Sequence, residues 1–163
     1  MMIRSAVVAL SMMCGSTVAL SAGAPVMIKE VKTVSSIAAR RMVDSCSAWA
    51  EAKNLVLAMA VYDAAGNMLE FHAMEGANES SIATAPLKAL TALRWRRTTT
   101  EVNRTVTSGE NLAPIWIGDF PMPGGVPIMA DGQVAGAMGV SSADGEACAK
   151  TAIESVIGRQ AVP

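Results

Sequence analysis

The chain has 163 residues, 52% of them hydrophobic, and a formal net charge of −1. That length supports one domain with a proper core, and the charge is no electrostatic footprint for nucleic acid or an anionic membrane. The mean hydropathy of +0.36 is high for a soluble protein, and the first two dozen residues carry much of the excess.

Arg4 is the only charge before Lys29, Val7–Leu10 and Thr17–Leu20 form an interrupted apolar region, and Ser21-Ala22-Gly23-Ala24 offers small residues for cleavage. Residues 1–23 therefore read as a secretory signal peptide, too short and too broken for a membrane span. Residues 24–163 read as the mature domain, periplasmic or secreted. A lipid anchor at Cys14 is the lesser reading, because Met12 and Met13 are poor residues before a lipidated cysteine. Cleavage leaves two cysteines, Cys46 and Cys148. Export makes a disulfide chemically feasible, although two buried small hydrophobes are the preferred expectation.

Thr33 or Ser35 can cap a first helix running to about Lys53, with Val34, Ala38, Met42, Cys46 and Trp49 as its apolar stripe. Leu55–Tyr62 is a continuous apolar run, hence a strand buried on both faces. Asp63–Asn67 is a turn with Gly66 in its left-handed position, and Met68–Met74 returns as the partner strand. Glu75–Ser80 is a polar loop. A second helix is expected from about Thr84 to Arg97, because that start keeps Pro86 among the amides that need no intrahelical partner. Leu87, Leu90 and Leu93 then face the core, with Lys88 and Trp95 on another side. Thr98-Thr-Thr-Glu101 fits a capping box for a short helix ending near Gly109.

Leu112–Ile117 reads as a short strand, at an edge because of Pro114. Pro123-Gly124-Gly125 makes a bend with bare backbone amides. It leads into a hairpin of Val126–Ala130 and Gln133–Ser141 about Asp131-Gly132, the strongest short-range hairpin signal. One side of the second arm carries only Ala135, Ala137 and Gly139, leaving room for a helix or a ligand to pack close. Asp144 can cap a last helix, Gly145–Ile157, which Gly158 ends. Hairpins joined by helices predict an α+β sandwich with a mainly antiparallel sheet. No Cys-x-x-Cys, His-Glu-x-x-His, Gly-x-Ser-x-Gly or phosphate loop is present.

Four motifs then carry a family resemblance. They are Ala60-Val-Tyr-Asp63-Ala-Ala-Gly66; Phe71-His-Ala-Met74-Glu-Gly76-Ala77; Lys88-Ala89-x-Thr91-Ala92; and Pro123-Gly-Gly-Val-Pro127-Ile128 with Asp131-Gly-Gln-Val-Ala-Gly136-Ala-Met-Gly139-Val140-Ser141. In this order the chain resembles the GlcG/HbpS-like proteins, the haem-degrading domain family that includes the C-terminal domain of PduO-type corrinoid adenosyltransferases. The resemblance implies a profilin-like sandwich with a five-stranded sheet that assembles into homo-oligomers. It implies binding of haem or a related tetrapyrrole, with roles in haem degradation or beside a membrane sensor or periplasmic enzyme. Ala73 stands where the family often carries Arg, and Glu75 where it often carries Asp; the first change removes a partner for an anionic ligand.

On that resemblance the ligand-binding candidates are His72, Met74, Glu75, Lys88, Pro123, Gly124, Gly125, Val126 and Pro127. His72, the only histidine, shares a strand side with Glu70 and Met74. It can serve as an axial haem ligand or an acid–base group, or simply be a half-exposed strand residue. Lys88 can pair with a ligand carboxylate, or be a surface lysine paired with Glu75. Gly124-Gly125 can present amides to an anion or make a tight turn. Met74 and Met122 are the methionines placed to touch a flat macrocycle. An enzyme acting on a small organic acid, with His72 or Lys88 as base, and a non-catalytic assembly or signalling module are the alternatives.

Overall fold

Ser35 opens the first helix by accepting a hydrogen bond from the Ala38 amide at 3.2 Å. The computed structural model describes residues 29–160, so the expected signal peptide lies outside the described residues. The elements are α1 (Ser36–Glu51), β1 (Ala58–Asp63), β2 (Met68–Ala73), α2 (Glu79–Trp95), α3 (Thr99–Thr107), α4 (Ala113–Trp116), β3 (Gly125–Ala130), β4 (Gln133–Ser141) and α5 (Gly145–Ile157). The strands form one antiparallel sheet in the order β2-β1-β4-β3.

Turn chemistry sets this topology. Asp131 and Gly132 both have positive φ, 48° and 74°, the type I′ geometry that joins β3 to β4. Asp63 Oδ1 accepts from the Ala65 and Asn67 amides at 2.9 and 2.8 Å. These bonds, with the Asn67 side-chain contact first, hold the Asp63 carboxyl below the usual range.

Strand alternation then divides the sheet into two faces. Met59, Val61, Val126, Ile128, Met138 and Val140 point into the main core, closed by α1 and α5. The other face carries Ala60 and Tyr62, which pack with Ala89 of α2. Ala137 and Gly139 of β4 face that helix, whereas Ala135, at the register shift between Ile128 and Met129, joins the main core. A Cβ on Gly139 would overlap the Ala85 carbonyl and the Ala89 amide.

Five expectations change. The helix expected from Thr84 begins at Glu79, because the Asn78 side chain accepts from the Ser81 amide at 2.7 Å; Pro86 sits inside it, giving up one backbone bond that packing on the sheet offsets. Leu87 is 42% exposed rather than core-facing, since α2 turns its small residues Ala85, Ala89 and Ala92 to the sheet. Leu112–Ile117 is no strand. Pro114 lies in the first turn of α4, where its missing N–H costs nothing, so the sheet has four strands among the described residues rather than five. Asp144 stands at the start of α5 without a side-chain capping bond. Finally, Cys46 and Cys148 are not two free hydrophobes: α1 packs on α5, their Cα atoms lie 5.3 Å apart, and they form a disulfide.

Two stability outcomes follow from this packing. Gly139→Ala should cost about 1–3 kcal/mol in urea unfolding, as overpacking does; an unchanged midpoint would contradict the close helix–strand contact. Replacing both Cys46 and Cys148 by Ala should cost about 2–5 kcal/mol, and reductant should then cease to affect the melting temperature.

Candidate functional site

The contact that seats α2 also buries Lys88. A Cβ on Gly125 would overlap the Lys88 main-chain carbonyl, and a Cβ on Gly124 would lie 3.2 Å from Lys88 Cδ and 3.3 Å from Nζ. Gly124, at φ 127°, leaves the space through which the lysine side chain passes. The two glycines are therefore close-approach residues, and the Gly125 amide is already satisfied by Thr99 Oγ1 at 2.8 Å.

Lys88 is only 6% exposed, not the surface lysine paired with Glu75. Its Nζ lies 3.5 Å from the Val140 carbonyl and from Ser141 Oγ, both at the outer limit of a hydrogen bond. Among the described residues no carboxylate pairs with it. Desolvation pushes its pKa below the ordinary lysine range.

Hydroxyls continue from the amine. Thr84 Oγ1 donates to the Ser80 carbonyl at 2.7 Å, so its 2.7 Å contact with Ser141 Oγ is one in which Ser141 donates. Ser141 can then accept from Lys88. Ser142 Oγ is buried without a partner. These groups line a cavity of about 420 Å³ together with the apolar residues Phe120, Met122 and Pro123.

The loop bearing that apolar wall is tied down. The Phe120 amide donates to Thr91 Oγ1 at 2.9 Å, and Asn103 donates to the Pro121 carbonyl at 2.8 Å. Asp119 accepts from Trp95 Nε1 at 2.6 Å and pairs with Arg94.

The structure brings Lys88, Pro123, Gly124 and Gly125 together, with Met122 beside them. The other candidates lie elsewhere. His72 is exposed and stands opposite Met59, on the α1 side with Glu70, whose carboxylate takes Arg40 at 3.0 Å. Lys88 belongs to the other side of the sheet, so one chain does not bring the imidazole and the amine into one cavity. Met74 packs against the main core, Glu75 is exposed, Val126 is a core residue and Pro127 is buried in β3. Thr84, Ser141 and Ser142 escaped sequence reasoning; the signal was the hydroxyl pair closing the last motif. A larger recess of about 750 Å³ between the hairpin turns is lined by none of the expected site residues.

A sequence model described as "Haem degrading protein HbpS-like" matches residues 34–156. The chain belongs to the HbpS-like family. An uncharacterised 15.0 kDa protein of Citrobacter freundii is 30% identical over 117 residues, covering 69% of this chain and 82% of that one. Among solved structures, a double-mutant HbpS from Streptomyces reticuli superposes with a TM-score of 0.73 at 26% identity, covering 83% of this chain and 98% of that one. A PduOC:haem complex shares the fold, with a TM-score of 0.72 at 23% identity over 78% of this chain and 99% of that one.

The buried amine has a pH signature. Below the lowered pKa of Lys88, folded and unfolded chains both hold the proton, and the folded state bears the full desolvation cost. As pH rises through that pKa towards the ordinary lysine value, the unfolded chain binds more protons and stability rises. The stability of wild type relative to Lys88→Met should therefore climb with pH across that window in urea titrations. A difference independent of pH would contradict the burial.

Proposed function

We propose that this chain is an exported small-ligand-binding protein that takes haem or a related tetrapyrrole at the Lys88 cavity. The observation that carries this reading is a buried cation with no counter-charge beside an apolar wall. A carboxylate on a flat apolar body answers both, since a charge is buried cheaply only when it is paired. The propionate of a tetrapyrrole supplies the carboxylate, and Phe120, Met122 and Pro123 supply the wall. The family description, which names haem degradation, supports the choice of ligand class, and so does the haem complex known for a protein of the same fold.

Haem, when bound, supplies the iron chemistry, and this chain supplies binding and orientation. Lys88 holds the anionic group, with Ser141 and Thr84 fixing the direction of its donors. Met122, 49% exposed at the cavity rim, offers a soft thioether. His72 faces away within its own chain, so as an iron ligand it would come from a second copy. A homo-oligomer also accords with the exposed apolar residues Leu112, Ile115, Trp116 and Ile117, of which Trp116 is 83% exposed. Export through the residue 1–23 leader accords with the Cys46–Cys148 bridge, because such bonds persist in oxidising compartments.

Titration of the purified protein with hemin tests the reading. A saturable Soret shift is expected, with affinity about tenfold weaker in Lys88→Met, the scale of one charge-assisted hydrogen bond. No shift, or an affinity indifferent to Lys88→Met, overturns it. A spectrum unchanged in His72→Ala removes His72 as an iron ligand.

A further inference from the structure

We propose that Lys88 is a carbonyl-reactive amine, and that its cavity captures short neutral hydroxyaldehydes or hydroxyketones as an imine. The proposal concerns the ligand-free protein and stands whether or not a tetrapyrrole binds.

Imine formation needs an amine that is free of a carboxylate partner, shielded from bulk water and still reachable. Lys88 meets each condition. It is 6% exposed, lines the 420 Å³ cavity, and has no carboxylate partner among the described residues. Burial also favours the neutral, nucleophilic form.

The reaction balances without a cofactor. The Nζ lone pair attacks the carbonyl carbon, and one nitrogen proton passes to the carbonyl oxygen to give a carbinolamine. The hydroxyl then leaves as water with the second nitrogen proton, and the C=N bond forms. Proton transfers have a route at hand, since Ser141 Oγ lies beside Nζ and is bonded to Thr84 Oγ1 at 2.7 Å.

The lining also selects the substrate. Its polar side is hydroxyl-bearing, with Thr84, Ser141 and the unpartnered Ser142 Oγ, and these complement a substrate hydroxyl. Lys88 is its one basic residue and becomes the covalent centre. No second cation remains in the lining for a carboxylate, so a neutral hydroxycarbonyl compound is favoured over an oxo acid.

The test is reductive trapping, without hemin, using glycolaldehyde and sodium cyanoborohydride followed by peptide mass mapping. The exposed lysines Lys29, Lys32, Lys53 and Lys150 serve as internal controls. Lys88 should be labelled saturably and about tenfold faster than any of these four, as an activated amine is. Lys88→Arg should lose only that adduct, and Ser141→Ala should slow labelling at Lys88 alone. Labelling at Lys88 no faster than at the exposed lysines overturns the proposal. An unaltered rate in Ser141→Ala overturns the proton route, and faster trapping of glyoxylate than of glycolaldehyde overturns the neutral substrate class.

Discussion

Everything distinctive in this molecule depends on how closely α2 approaches the sheet. Gly125 and Gly139 have no Cβ, so the helix backbone around Ala85, Lys88 and Ala89 rests on β3 and β4. A helix that close turns its small residues inward and leaves a leucine outside. Lys88 falls within that inward stripe, and the stem of its side chain passes over Gly124. The desolvation cost of the amine is set against the packing of the whole helix face, and the amine lines the cavity from there.

The same contact shows what the sequence could and could not reveal. The Asp131-Gly132 hairpin, the Thr98–Glu101 capping box and the α1 stripe were legible, because each is decided within a few residues. The start of α2 lies earlier than Pro86 alone implies, because local bonding does not decide it. Asn78 caps an earlier start, and packing on the sheet tolerates the lost bond. Pro114 fits an edge strand or the first turn of a helix equally well in sequence, and it begins a helical turn. The disulfide joins residues 102 apart in sequence, and no spacing rule reports whether two helices so distant will meet.

The site was half legible for the same reason. The expectation is that the Lys88 helix and the Pro123-Gly124-Gly125 bend meet over the His72 strand in one cavity; the structure brings the first two together and leaves His72 on the other face. Motif order is silent about sheet faces. Strand alternation had already put His72 with Glu70 and Met74, but only the pairing of β2 with β1 tells which helices that side meets. The imidazole belongs to the α1 face and the amine to the α2 face. The hydroxyls of Thr84, Ser141 and Ser142 are ordinary residues in sequence, and they matter because a loop, a helix and a strand end converge on Lys88.

The central claim is that the buried amine anchors the ligand, and a crystal structure grown with ferric protoporphyrin tests it most directly. The account predicts the macrocycle against Phe120, Met122 and Pro123, with a propionate oxygen within ion-pair distance of Lys88 Nζ. A macrocycle seated on the His72 face, with no carboxylate at Lys88, would contradict it.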